Sequence, residues 1–302
     1  MTKSIVVEEI PVPDRDSGPY GITTGPDGAL WFTLVHTGRV GRLTLPAREF
    51  TSHALGSADC GPTVITAGPD GALWLCRTRD HRIARITTDG HTGEFPLPVP
   101  DSGPYGITGG PDGALWFTET NTNRIGRITT TGEVTHFPVP VPGAFPSAIT
   151  QGPDGALWFT MNQADAVARI TTAGDIKVFP LPTKGAAPVG IAAGMSGDAL
   201  WFTEIGGGAV GRVTTSGEIT EFPLPDPDSR PHAVTVDASG ACWFTEWGAN
   251  RVGRLTPDGT LTECDLPTPS CEPHGLTRGP DGAIWTALES GALARITVAD
   301  QD

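Results

Sequence analysis

Pro104–Thr118, PYGITGGPDGALWFT, is the stretch that decides how this chain folds. Two short apolar runs flank Pro111-Asp112-Gly113. Proline presets φ at the first turn position, aspartate tolerates the second, and glycine takes the left-handed conformation that closes a hairpin. The next segment, RIGRIT (Arg124–Thr129), reads as a third strand. After a second turn at TTG comes a fourth, of the kind written EFPLP at Glu94–Pro98. Proline cannot donate to a sheet ladder, so this fourth strand is expected to be the outer edge.

The unit repeats from end to end. Trp31, Trp74, Trp116, Trp158, Trp201, Trp243 and Trp285 stand 42 or 43 residues apart. Arg42, Arg85, Arg127, Arg169, Arg212, Arg254 and Arg295 keep one position in every unit. A period of this length, built of strands and Gly/Pro turns, marks propeller blades rather than a helical solenoid. The chain is therefore expected to be all-β, a seven-bladed β-propeller of four-stranded blades forming a single domain over residues 1–302. The last unit ends at ARITVAD (Ala294–Asp300) without a fourth strand, whereas EEIPVP (Glu8–Pro13) resembles a fourth strand with nothing before it. The N-terminal strand is thus predicted to complete the last blade, which removes exposed sheet edges. Residue types present in all seven units read as structural, the arginines and tryptophans among them, with the indoles packed between blades.

Composition narrows the partners. Thirty-four acidic against 20 basic residues give a net charge of −14 and a pI near 4.8, which argues against nucleic acid and suits cationic or metal-bound substrates. The N-terminus lacks a basic stretch followed by a long apolar core, and no segment approaches a membrane span, so a cytoplasmic protein with no membrane partner is expected. Five cysteines, an odd number without metal-type spacing, read as reduced packing residues. A closed propeller buries its own edges, so a monomer is expected.

Departures from the repeat are where chemistry is to be sought. After the proline that opens each first strand come Tyr20, Thr63, Tyr105, Ser147, Val189, His232 and His274. The first strand is innermost in a propeller, so these seven ring one mouth of the central channel, and Tyr20 becomes the neighbour of the two histidines once the ring closes. Before that proline stand Gly18, Gly61, Gly103, Phe145, Ala187, Arg230 and Glu272, with one carboxylate. A residue preceding proline is held extended, which would point Glu272 and His274 to the same side. Four residues past the tryptophan the series is Val35, Thr78, Thr120, Asn162, Ile205, Trp247 and Glu289, again with one carboxylate. One position earlier glutamate recurs, so Glu246 reads as a repeat feature. An isolated glutamate is ordinarily a surface charge, and a histidine at a channel mouth is ordinarily solvated. Their convergence on three contiguous blades favours a site, with Trp247 as an apolar wall.

Two carboxylates with few other protein ligands suit Mg²⁺, which keeps several waters, and a histidine beside such an ion is a base near neutral pH. No G-x-S-x-G elbow is present, so covalent hydrolysis is disfavoured. A metal on a carbonyl oxygen acidifies the adjacent C–H, so elimination is the reaction expected.

The unit GPDGALWFTE…NRIGRIT, the phrase WFTEWGANRVGRLT (Trp243–Thr256) and EPHG (Glu272–Gly275) together resemble the virginiamycin B lyases, or streptogramin B lyases, over essentially the full chain. The resemblance implies a seven-bladed propeller and Mg²⁺-dependent linearisation of cyclic depsipeptide antibiotics, hence resistance. A proton alpha to a carbonyl of the ring is removed and the threonine oxygen leaves without attack by water. It also implies that His274 is the general base, Glu272 and Glu289 the metal-site carboxylates, His232 a substrate-binding histidine, and Tyr20 a substrate-side tyrosine. Tyr105 shares the phrase around Tyr20. Two other readings stay open: a lactone hydrolase of the gluconolactonase type, whose Glu/Asn/Asp set around Ca²⁺ finds little match here beyond Asn162, and a non-catalytic binding scaffold.

Overall fold

The computed structural model describes residues 3–300 apart from 195, 196 and 198. Its 28 strands form seven four-stranded antiparallel sheets. Within blade three the order is Pro104–Gly109, Leu115–Glu119, Arg124–Ile128 and Val134–Pro138, here called strands A to D, and each other blade follows the same order. The A strands of successive blades contact one another around the ring, blade seven meeting blade one, so strand A is innermost and D outermost. In blade seven strand D is the N-terminal segment Lys3–Pro11, paired along its length with Ala292–Asp300. No helix among the described residues is long and apolar enough to cross a membrane.

The tryptophans pack between blades, as the sequence predicts. Trp31 lies in one apolar cluster with Cys60, Ile65 and Leu73 of blade two, and Trp285 with Ile22, Leu30 and Phe32 of blade one. The turn aspartate has a second task that its turn role hides. The Trp116 indole N–H donates to Asp112 Oδ1 at 3.0 Å, and Arg127 Nε, opposite Trp116 in the ladder, donates to Oδ2 at 2.6 Å. Burial opposes ionisation there, yet these two donors hold the Asp112 carboxyl below the usual range. Asp27, Asp70, Asp154 and Asp281 bridge their own Trp and Arg in the same way. In these five blades the repeated arginine is therefore accounted for by structure.

Strand A carries a feature that places the mouth residues. In blade seven Pro273 pairs with Leu288, but the next pair is Leu276 with Thr286, leaving His274 and Gly275 in a bulge opposite Ala287. The same slip occurs in blades one to six. A bulge unpairs the backbone and re-aims side chains, here toward the channel. The freed polar groups are used between blades. Thr245 Oγ1 accepts from Ala233 N at 2.9 Å and donates to the carbonyl oxygen of His274 at 3.2 Å, and Thr33, Thr118, Thr160 and Thr203 make the equivalent link.

Glutamates ending strand B in blades three, five and six are fully buried. Glu119 has His136 as partner at 2.9 Å, and Glu246 faces Arg251 across the ladder. Glu204 faces Ala209, and both its oxygens, like those of Glu246, are buried without a hydrogen bond. Burial, reinforced by the charges of Glu221 and Asp165, pushes its carboxyl up to about 8.

Candidate active site

Glu272, His274 and Glu289 come together in blade seven, each offering one ligand atom within 4.8 Å of the others. His274 is 7% exposed and its Nε2 lies 2.5 Å from Glu289 Oε2. The hydrogen bond from His274, against the opposing effect of partial burial, keeps the Glu289 carboxyl below its ordinary range, with His36 adding to the effect. His274 Nδ1 is buried and has no hydrogen-bond partner.

The route by which Glu272 reaches this cluster differs from the expectation. It is not extended: its φ is 51°, in the left-handed region. Pro273 forbids the right-handed helical region to its predecessor, but the decisive constraint is a backbone hydrogen bond. The residue before the strand-A proline accepts at its carbonyl from the amide after strand B: Gly18 from Val35, Gly61 from Thr78, Gly103 from Thr120, Phe145 from Asn162, Arg230 from Trp247 and Glu272 from Glu289. Blades one to three use glycine at this left-handed position, while Phe145, Ala187, Arg230 and Glu272 adopt it with side chains. A non-glycine residue there costs roughly 1–2 kcal/mol. Such strain gathers where geometry serves function.

The other predicted residues also assemble. Tyr20 lies with its ring centroid 4.3 Å from that of His274 and 6.3 Å from that of His232, and the two imidazoles meet edge-on at 5.1 Å. The Tyr20 hydroxyl is 2.8 Å from that of Tyr105, a contact that reaches past blade two from blade one to blade three. The two tyrosines of identical phrases thus act as a pair across the channel. His232 is held neutral: burial, with the neighbouring His274, pushes its pKa down to about 3. It can offer or accept a hydrogen bond but carries no charge at neutral pH. Trp247 stands 6.4 Å from His274 and carries the Arg230 guanidinium 5.5 Å over its ring. An open groove of about 440 Å³, lined by Arg230, Trp247, Asn250 and Glu272 among others, adjoins the cluster.

One residue escaped the sequence reading. His36, in the turn after strand B of blade one, places Nε2 2.9 Å from Glu289 Oε1. The signal was available: five residues past the tryptophan the series is His36, Arg79, Asn121, Gln163, Gly206, Gly248 and Ser290, with a single histidine.

A family profile described as "Virginiamycin B lyase family" matches residues 5–296. The chain belongs to the virginiamycin B lyase family. A solved streptogramin B lyase structure superposes with a TM-score of 0.94 at 42% identity, covering 98% of both chains. A catalytically inactive histidine-to-alanine variant of virginiamycin B lyase from Staphylococcus aureus, with quinupristin, superposes at 0.93 and 44% identity over 97% of this chain and 99% of the other. The virginiamycin B lyase of Saccharopolyspora erythraea is 57% identical over 53 residues, a stretch that spans 18% of this chain and only 17% of that relative.

Proposed function

We propose that this protein is a carbon–oxygen lyase that opens type B streptogramin rings by elimination, using a divalent cation, for which Mg²⁺ is the natural candidate. The observation that carries this reading is the meeting of His274 with Glu272 and Glu289, each the lone carboxylate of its repeat column, at one channel mouth. Family membership and the quinupristin bound to the Staphylococcus aureus relative support the substrate class. Resistance to such antibiotics is the role this would confer.

The residues fit the ion. Two carboxylates on one open side, beside a groove with room for water, match a hard cation that keeps several waters. Glu272 and Glu289 would hold it, and when bound it would polarise a substrate carbonyl oxygen and acidify the adjacent C–H. His274 is the base. Its imidazole, held 2.5 Å from Glu289, takes the proton from the carbon next to the carbonyl. The C–H pair becomes the new C=C bond as the C–O bond one carbon further breaks, and the ester oxygen leaves with its electrons as a carboxylate. No water is consumed. Tyr20 packs the imidazole face, and neutral His232 offers a hydrogen bond to the ring without competing for the proton.

Mass spectrometry of a streptogramin B incubated with the protein in ¹⁸O-labelled water, with and without EDTA, tests the reading. Elimination gives an unlabelled linear product isobaric with the substrate and lost on chelation. A labelled product heavier by one water would mean hydrolysis, and no product would return the site to the binding-scaffold reading.

A further inference from the structure

His36 belongs to blade one, yet its imidazole closes over the carboxylate of blade seven. Its Nε2 lies 2.9 Å from Glu289 Oε1, and its Nδ1 lies 3.1 Å from the main-chain carbonyl oxygen of Asp16, in the short 3-10 turn Arg15–Ser17 that leads into blade one. The ring is therefore anchored at one edge by backbone and presents the other edge to Glu289. Gly18 makes room for it, because a Cβ there would come within 2.6 Å of His36 Nδ1. Glu289 is consequently gripped on both oxygens, Oε1 by His36 and Oε2 by His274.

The threonine link that ties the ring residues of blade two and blades four to seven to the blade before them is missing at this junction. Ala287 stands where blades one and three to six have threonine, so it has no hydroxyl to offer blade one. The His36–Glu289 contact joins blades one and seven instead, and it does so at the candidate site itself. A carboxylate on a flexible side chain is a poor ligand until its rotation is fixed, and hydrogen bonds from an outer partner supply that restraint.

We propose that His36 is a positioning residue for the metal-site carboxylate: by holding Oε1 of Glu289 it fixes the carboxylate plane so that Glu272 and Glu289 converge on one cation. This rests on the metal-site reading above. His36 is 43% exposed on its side chain and does not take part in the core, so its loss is expected to leave the fold intact.

The test is Mn²⁺ binding to the intact protein, followed by electron paramagnetic resonance, in wild type, His36→Leu, His36→Gln and Glu289→Gln, with the thermal midpoint of each recorded. His36→Leu is expected to weaken Mn²⁺ about 10–100-fold with an unchanged midpoint. His36→Gln, whose amide N–H reaches the place of Nε2, is expected to recover most of the affinity. Wild-type affinity in His36→Leu, or equal weakness in the Gln and Leu variants, overturns the positioning role while leaving the metal site standing. Absence of Mn²⁺ binding in wild type, or binding untouched by Glu289→Gln, overturns the metal-site reading and this proposal with it.

Discussion

The main-chain N–H of Glu289 donates to the carbonyl oxygen of Glu272 at 3.1 Å. The two carboxylates are thus tied through their backbones before any ion binds. The tie holds Glu272 in a left-handed conformation that blades one to three give to glycine. Glu272→Gly should therefore stabilise the fold by roughly 1 kcal/mol while removing a cation ligand. Urea unfolding and Mn²⁺ binding measured on one preparation check this, and a variant that loses stability would show that the left-handed carboxylate is not strained.

His274→Ala should lower turnover by at least 100-fold, the lower range for a positioned base, with secondary structure and thermal midpoint retained. Circular dichroism alongside a kinetic assay separates the two effects. Full activity in the variant would exclude His274 as the base.

Asp154→Ala removes the acceptor of both the Trp158 indole N–H and Arg169 in blade four. Leaving a buried donor unpaired costs about 1–3 kcal/mol. The free energy of unfolding should fall by that amount, read as a lower denaturant midpoint at unchanged slope, with kcat and KM of the remaining folded protein unchanged, a pattern opposite to that of the blade-seven variants.

Stability should also fall as pH rises from about 4.5 to about 8. Glu204 has an ordinary carboxyl pKa when unfolded but is pushed up to about 8 when folded. Between those values the native state binds more protons than the unfolded one, so each unit of pH disfavours folding, and the loss is complete above the folded value. Glu246, pushed up to about 7 chiefly by burial, adds in the same direction. Glu204→Gln should flatten the fall in thermal midpoint between pH 5 and pH 8, and a variant as steep as wild type would place the dependence elsewhere.

What the sequence revealed follows from what repetition averages. Seven copies of one phrase made Trp116 and Arg127 recognisable as scaffold, columns with a lone carboxylate isolated Glu272 and Glu289, and a variable column placed His232 and His274 side by side at the channel mouth. Repetition also hid things. Asp112 looked like a turn residue because turn chemistry alone explains aspartate there, and its bridge between indole and guanidinium is a contact in space that spacing does not encode. The left-handed Glu272 was missed because the pre-proline rule speaks only of local sterics, whereas the hydrogen bond to Glu289 comes from a segment 17 residues on. His36 was missed for a third reason: its partner lies 253 residues away, across the point where the ring closes.

The sheet that carries Glu272, His274 and Glu289 is the one sheet among the described residues whose strands are not contiguous in sequence, because Lys3–Pro11 pairs with Ala292–Asp300 across all six other blades. Each of those six closes within one repeat, whereas the seventh closes the whole ring. Closure entropy grows only with the logarithm of loop length, so the seventh ladder forms at a cost of about 2 kcal/mol beyond its neighbours'. A variant that frays this ladder should open the candidate site first and leave six sheets paired.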